Sequence, residues 1–264
     1  MIDFSVDPPE EVVYDVGGGE AGASSARVVK MVRPSEVTVW EDDEAVAPDL
    51  KLDRYDANCV IGLDGALYEI GGRSTGGGTR RQAERFKPPE IFASSGMQWK
   101  FMASQQHDRW YHSTAVLLPD GRIVSAGGDD PATGAHEPSW WSVEVFSPPY
   151  LFLGPRPRIT SYPGTIELGG STFPVSAILR TTSGGDEFRV ALVAPGAATH
   201  SFDQSQMYAK LDHDNFSPNN DPNQSSTISA SPPPDQSIAP GWYMLTIVNS
   251  AGVPSVAKWV QVVE

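Results

Sequence analysis

The sequence has little of what marks several common protein classes. Cys59 is the single cysteine among 264 residues, which excludes an intrachain disulfide and a zinc site built from several cysteines. No apolar run approaches the ~18 residues that a membrane-spanning helix needs. The first ten residues, MIDFSVDPPE, contain neither a basic start nor an apolar stretch, so no signal peptide is visible.

Basic residues are also scarce. The chain has 19 Lys and Arg residues against 33 Asp and Glu residues, so its formal net charge is −14. Proteins bind nucleic acids and anionic membranes through basic patches. We therefore expect neither nucleic acid nor a membrane surface as a partner.

Glycine and proline, in contrast, are abundant. The chain contains 25 Gly and 23 Pro residues, and 39% of its residues are hydrophobic. This turn-rich composition predicts an all-β fold, and the hydrophobic fraction is sufficient for a core.

Three short segments end alike, in VVYDVGG, LYEIGG and RIVSAGG. The first glycines of these pairs, Gly17, Gly71 and Gly127, are 54 and 56 residues apart. A short strand that ends in Gly-Gly every ~50 residues is typical of a kelch-type propeller blade. The alternative is three unrelated hairpins.

The second and third repeats align without gaps when their Asp-Gly turns are superimposed. Tyr55 then aligns with Tyr111, and Asp56 with His112. Because propellers close with four to eight blades, about three blades make only a partial propeller. We expect the remaining blades to come from another chain or from a longer form of this protein.

The sequence changes character after Leu153. The Pro-rich segment GPRPRIT is followed by short alternating segments at the spacing of an immunoglobulin-like sandwich. This predicts two domains, a partial kelch β-propeller over residues 1–153 and a β-sandwich over residues 154–264. The polar, Pro-rich residues 212–240 are predicted to form a long surface loop.

The segment RWYHSTAVLLPDGR places Tyr111 and His112 at the start of the innermost strand of the third repeat. Phenol oxygen and imidazole nitrogen suit a tetragonal copper site. Neighbouring side chains on a strand point to opposite faces, so both could reach one ion only if the strand bends there. The alternative is a core tyrosine beside a hydrogen-bonded histidine.

Long motifs extend this pattern: RWYHSTAVLLPDGRIVSAGG, VEVFSPPYLFLGPRPRIT, APGAATHSFDQSQMYAKL and PGWYMLTIVNSAGVPSVAKWVQV. In these motifs the sequence resembles the galactose oxidase and glyoxal oxidase family of copper radical oxidases. The resemblance implies a kelch propeller followed by an early-set immunoglobulin-like domain in an extracellular or periplasmic protein. It also implies that Tyr111, His112 and His200 bind copper, with Tyr111 accepting a proton and His200 reaching the ion from the second domain.

The sequence departs from the family at the radical cofactor. In the family, a second tyrosine joined to a cysteine by a thioether lies in earlier blades, which this chain does not contain. Cys59 and Tyr55 lie outside that motif, so the Tyr-Cys cofactor cannot be assigned in this chain. We expect Cys59 to be a buried thiol that packs as a small hydrophobic residue.

These observations predict the C-terminal part of a copper oxidase that converts a primary alcohol or aldehyde with O₂, releasing H₂O₂, and that is inactive by itself. One alternative is a non-catalytic carbohydrate- or protein-binding module, with Trp140 and Trp141 as a stacking surface. Another is one chain of a split oxidase. The remaining polar candidates are predicted to be solvated side chains without a site: His107, His136, His213 and the acidic run Glu41–Glu44.

Overall fold

The computed structural model describes residues 1–6, 9–20, 23–33, 48–89, 91–92, 98–128, 141–181, 188–214, 219 and 221–264. These residues form strands, turns and a short 3-10 helix over Pro149–Phe152, so the predicted all-β class is confirmed. Within these ranges no helix is long and apolar enough to cross a membrane.

The described residues alternate short strands with turns. The strands of the first half are β1 (Ile2–Asp3), β2 (Glu10–Val16), β3 (Gly19–Glu20), β4 (Ala23–Ser24), β5 (Val28–Arg33), β6 (Tyr55–Ile61), β7 (Leu67–Arg73), β8 (Gln82–Phe86), β9 (Lys100–Ser104), β10 (Ser113–Leu117), β11 (Ile123–Gly127) and β12 (Val143–Phe146). Those of the second half are β13 (Arg158–Ser161), β14 (Thr165–Glu167), β15 (Phe173–Ile178), β16 (Arg189–Ala194), β17 (Ala198–Thr199), β18 (Phe202–Asp203), β19 (Met207–Leu211), β20 (Ser225–Ala230), β21 (Gly241–Val248) and β22 (Lys258–Val263).

Two antiparallel sheets correspond to the second and third sequence repeats. Repeat sheet 2 has the strand order β6-β7-β8-β9, and repeat sheet 3 has the order β10-β11-β12. Cys59 pairs with Glu69 in the first sheet, and Ala115 pairs with Ser125 in the second. Both pairs are related by the 56-residue interval, so the gapless alignment holds for these inner strands.

The Gly-Gly pairs share one backbone conformation. The φ angles are +76° and +87° at Gly71 and Gly72, and +70° and +115° at Gly127 and Gly128. A Cβ atom at Gly71 would lie 2.7 Å from the carbonyl oxygen of Arg109, and one at Gly127 would lie 3.0 Å from that of His112. Glycine is therefore required both for the left-handed backbone and for the close approach of a neighbouring strand.

The first repeat is arranged differently from the other two. Its strands β2 and β5 pair with each other, and β1 connects them to the C-terminal part in one sheet of order β14-β22-β21-β16-β19-β1-β2-β5. Ile2 pairs in parallel with Ala209 and is buried in the sandwich core. The predicted division at residues 153 and 154 stays a prediction, and this sheet includes strands from both sides of it.

The sandwich places the sheet β13-β15-β20 against the strands β16, β19, β21 and β22. All six residues of β16 are buried, as expected for a central strand. The prediction of a surface loop throughout residues 212–240 is wrong for β20. There Ile228 and Ala230 point into the core between small polar residues, an alternation that composition alone conceals.

Two arginines, the buried Arg189 and the half-buried Arg156, attach the repeat sheets to the sandwich through the Asp-Gly turns. Arg189 donates hydrogen bonds to the carbonyl oxygens of Asp64 (3.1 Å) and Ile91 (3.3 Å). Arg156 donates to the carbonyl oxygen of Asp120 (2.6 Å) and to that of Ser255 (2.8 Å). The two parts are thus held in one orientation, which fixes where the sandwich loops meet the inner strands.

Candidate metal centre

Tyr111 and His112 lie in a tight turn that begins repeat sheet 3. The backbone N–H of Ser113 donates to the carbonyl oxygen of Trp110 at 2.9 Å and closes this turn. His112 has a φ of +60°, at the turn position that a type II turn places in the left-handed region. The turn supplies the bend that the sequence analysis requires, and the two rings have centroids 3.9 Å apart.

His200 lies at the tip of a two-residue β-hairpin formed by β17 and β18. Ala198 pairs with Asp203 and Thr199 with Phe202, which leaves His200 and Ser201 as the loop. Both loop residues have positive φ angles, +53° and +62°, as a type I′ turn demands. Such turns usually contain Asn-Gly, so a His-Ser pair costs on the order of 1–3 kcal/mol per strained residue.

The surrounding structure holds this strained hairpin in place. The carboxylate Oδ1 of Asp203 accepts hydrogen bonds from the backbone N–H groups of Ala197, Ser205 and Gln206, each 3.0 Å long. Gln206 in turn donates to the carbonyl oxygen of Cys59 on β6 at 3.0 Å. The hairpin is therefore tied to the inner strand of repeat sheet 2.

The two histidines meet although 88 residues separate them in the chain. The Nε2 atoms of His112 and His200 are 3.1 Å apart, and the ring of Tyr111 lies 5.5 Å from that of His200. The structure thus brings together the three residues that the sequence predicts for a metal site.

This arrangement fits two neighbouring ligands of one metal ion. With metal–imidazole bonds of about 2.0–2.1 Å, nitrogens 3.1 Å apart subtend roughly 100° at the ion, close to the right angle of a tetragonal site. Nδ1 of His200 lies 2.8 Å from the hydroxyl oxygen of Thr199. If Nδ1–H donates to that oxygen, the Nε2 lone pair remains available for a metal.

The pair of imidazoles faces solvent, and Tyr111 is half-buried. In the part of the chain that the structure describes, no group of three or more His, Cys, Asp or Glu side chains could hold a metal ion. A third donor beside the two histidines would therefore have to be another residue type, and Tyr111, whose ring lies 5.5 Å from that of His200, is the candidate.

Cys59 and Tyr55 do not form a second redox group with this pair. Cys59 is a free cysteine that packs against the hydrophobic core of the repeat sheets, as predicted, but the residue is only partly buried. Burial, followed by the nearby Glu69 carboxyl, raises the pKa of the Cys59 thiol. Tyr55 instead packs under the guanidinium group of Arg73, 4.9 Å from the ring centroid.

The other candidates stay apart from the centre. Trp141 is 81% exposed beside β12, and Nδ1 of His213 lies 2.9 Å from the carbonyl oxygen of Asp214. Trp140, His136 and the run Glu41–Glu44 lie outside the described residues.

Sequence reasoning missed a buried arginine–glutamate contact that occurs once in each repeat sheet; we call it the Arg–Glu brace. In repeat sheet 2, Arg54 donates to the carbonyl oxygen of Gly71 (2.9 Å) and to Glu84 (2.6 Å). In repeat sheet 3, Arg109 donates to the carbonyl oxygen of Gly127 (2.9 Å) and lies 3.4 Å from Glu144. The signal was the repeated Asp-Arg before an aromatic residue, which the gapless alignment shifts by one position.

The sequence analysis also did not identify Glu69 as a buried acid. Glu69 is 2% exposed and lines a cavity of about 1150 Å³ between the His200 hairpin, β2 and β6. Burial is the main cause that raises the pKa of Glu69 to about 8. At neutral pH this carboxyl is therefore mostly protonated.

Comparison with known proteins agrees with this architecture. Residues 156–262 match the family described as "Galactose oxidase-like, Early set domain". An aldehyde oxidase of Vitis pseudoreticulata is 37% identical over 175 residues, covering 64% of this chain and 32% of the relative. A galactose oxidase of Gibberella zeae is 29% identical over 212 residues, covering 78% of this chain and 29% of the relative.

Over part of its length this chain is thus similar to galactose oxidases and glyoxal (aldehyde) oxidases, and its residues 156–262 match the early set domain of such proteins. A solved structure of a fungal alcohol oxidase of the AA5 family, in complex with copper, shares its fold with this chain, with a TM-score of 0.74 at 24% identity. That similarity covers 96% of this chain and 52% of the oxidase. The chain spans about a third of the length of the curated relatives it matches.

Proposed function

We propose that this chain provides one part of a copper site that oxidises primary alcohols or aldehydes. The observation that supports this most directly is the 3.1 Å separation between the Nε2 atoms of His112 and His200, which lie in different parts of the chain. Each of these histidines has a left-handed backbone. Strain of this kind clusters at functional sites, where the surrounding structure maintains it.

The overall reaction converts a primary alcohol and O₂ into an aldehyde and H₂O₂, so two electrons and two protons pass from the substrate to oxygen. Copper, when bound, supplies Lewis acidity and one-electron chemistry. His112 and His200 would hold the ion through Nε2, and a hydrogen bond from Nδ1–H of His200 to the hydroxyl oxygen of Thr199 would leave that Nε2 lone pair free. Tyr111 would accept the hydroxyl proton of the substrate.

The chain by itself is proposed to bind copper without oxidising substrate. A second one-electron group is needed for a two-electron oxidation, and Cys59 and Tyr55 do not supply it. We therefore expect activity only when further blades complete the site, whether they come from a longer chain or from a partner chain. The substrates are proposed to be small alcohols, aldehydes or carbohydrates.

Copper titration of the chain tests this proposal. Calorimetry and electron paramagnetic resonance (EPR) should show one Cu²⁺ per chain with nitrogen ligands. His112→Ala and His200→Ala should each weaken binding at least tenfold, since each removes one of two imidazole donors. His107→Ala and His213→Ala are matched controls on the same two parts of the chain and should leave binding unchanged. Binding that tolerates both His112→Ala and His200→Ala would refute the proposed site.

Trp141 supports the alternative of a carbohydrate-binding module, because its side chain is 81% exposed. Aromatic side chains that present a face to solvent are common contacts for sugars. Glycan binding that is lost in Trp141→Ala, together with no copper binding, would favour this alternative.

A further inference from the structure

We propose that Arg109 is a positioning residue that holds His112 in its metal-facing conformation. This inference rests on the proposed copper site. Arg109 lies three residues before His112, and its side chain is fully buried. Arg109 is not itself proposed as a ligand. Its effect on a bound metal would pass through the turn that joins Arg109 to His112.

The guanidinium group of Arg109 links the segment before β10 to the end of β11 and to the start of β12. Nη1 donates to the carbonyl oxygen of Gly127 at 2.9 Å, at the end of β11. Nη2 donates to the carbonyl oxygen of Ser142 at 3.0 Å and to its hydroxyl oxygen at 2.9 Å, just before β12. These bonds fix the position of the chain immediately before the turn that leads into β10.

Both ends of the turn converge on Gly127. Ser113, the residue after His112, pairs with Gly127 across the sheet. Arg109, on the other side of the turn, bonds to the carbonyl oxygen of the same glycine. Gly127 therefore holds both Arg109 and Ser113 in place. The ends of the loop that carries Tyr111 and His112 are thus kept at a fixed distance from each other.

The backbone of Arg109 is held from the other side by repeat sheet 2. Its carbonyl oxygen accepts a hydrogen bond from the N–H of Gly72 at 2.7 Å. The positive φ of His112 is unfavourable for any residue with a Cβ atom and persists only where neighbours define the path of the backbone. The contacts of Arg109 fix the path of the backbone just before His112.

The same chain contains a matched brace that precedes no metal ligand. Arg54 bonds to Gly71 as Arg109 bonds to Gly127, and it is also fully buried. It precedes Asp56, whose φ is +57°. Changing either arginine should therefore lower the stability of the fold, whereas only a change of Arg109 should also alter the geometry of the metal site.

The experiment compares Arg109→Lys with Arg54→Lys in the full chain. Lysine keeps the charge but lacks the planar fork that bonds several acceptors at once. We expect Arg109→Lys to weaken Cu²⁺ binding about tenfold in a chelator competition and to change the copper hyperfine pattern in EPR. Arg54→Lys should leave affinity within twofold and the spectrum unchanged, although it should destabilise the chain in urea unfolding at least as much as Arg109→Lys does.

Ser142→Ala is the milder variant if Arg109→Lys fails to fold. It removes one acceptor of the Arg109 guanidinium and should weaken copper binding two- to threefold with a spectral change in the same direction. The inference is overturned if Ser142→Ala and Arg109→Lys leave the spectrum unchanged, or if both lysine variants affect copper equally. Failure of the copper site itself would appear separately, as binding that survives His112→Ala and His200→Ala, and would overturn this inference with it.

Discussion

Repeat sheets 2 and 3 are built by the same rules and differ where the candidate metal centre lies. In each sheet, a glutamate bound to the buried arginine also accepts hydrogen bonds from the two backbone N–H groups located three and two residues before that arginine. Glu84 accepts from Lys51 and Leu52, and Glu144 from Gln106 and His107. The Arg–Glu brace, the left-handed residue and the Gly-Gly pair are thus shared scaffold.

The difference is small in sequence and large in chemistry. The left-handed residue is Asp56 in repeat sheet 2 and His112 in repeat sheet 3. One residue separates Arg54 from Asp56, whereas two separate Arg109 from His112, so repeat sheet 3 has one additional residue in this turn. A scaffold that holds a left-handed residue in both repeat sheets can therefore present a metal ligand in one of them through a local change in sequence.

The largest contrast between the sheets should appear when the two braces are broken. Arg54 and Glu84 have fully buried side chains, whereas Glu144 is 20% exposed. Glu84→Gln leaves a buried charge unpaired and should lower the free energy of unfolding by about 3–5 kcal/mol. Glu144→Gln should cost only about 1 kcal/mol, because the Glu144 carboxylate is partly solvated, its contact with Arg109 is 3.4 Å long, and Arg109 keeps its hydrogen bonds to Gly127 and Ser142.

Urea unfolding followed by tryptophan fluorescence measures both values. The two substitutions remove the same charge from equivalent positions, so each serves as the control of the other. Equal losses would show that burial of the two braces does not differ in solution.

The second contrast concerns pH. Glu69 in repeat sheet 2 stands where repeat sheet 3 has Ser125, and its pKa is raised from 4.5 to about 8. Below pH 4.5 the carboxyl is neutral in both states. As pH rises toward 8, the unfolded state ionises first, so this group progressively destabilises the fold, by about 3 kcal/mol between pH 5 and 8.

Glu69→Gln removes this titration. The variant should gain stability relative to the parent as pH rises from 5 to 8, in urea unfolding series at constant ionic strength. Ser125→Ala, at the equivalent position, should show the pH dependence of the parent. A constant difference between Glu69→Gln and the parent would mean that Glu69 is ionised in the folded state throughout this range.

The smallest contrast separates two glycines of the repeated pairs. A Cβ atom at Gly18 has no neighbour within 4 Å, whereas one at Gly71 would lie 2.7 Å from the carbonyl oxygen of Arg109. Gly18→Ala should cost about 1–2 kcal/mol, for its positive φ alone. Gly71→Ala should cost about 1–3 kcal/mol more, because the backbone must move. Thermal unfolding of both variants checks this difference, and equal costs would contradict the close approach.

Features that depend on interactions between residues near each other in the sequence could be predicted, whereas contacts between distant residues could not. The Asp-Gly turns and Gly-Gly ends were predictable because they depend on the backbone of a few residues. The Arg–Glu brace was missed because its partners are 30 or more residues apart. Strand β20 was missed because small alternating residues form a core strand only when another sheet covers them.

The sequence by itself determined the all-β class, the repeated turns and the identity of Tyr111, His112 and His200 as candidates, the last through family resemblance. Only the tertiary structure decided that His200 meets His112, that β1 joins the N-terminal strands to the sandwich, and that a buried arginine closes the turn before His112. The physical reason is that local backbone preferences are encoded residue by residue. Contacts across dozens of residues arise only once buried arginines and the sandwich core fix how the sheets pack.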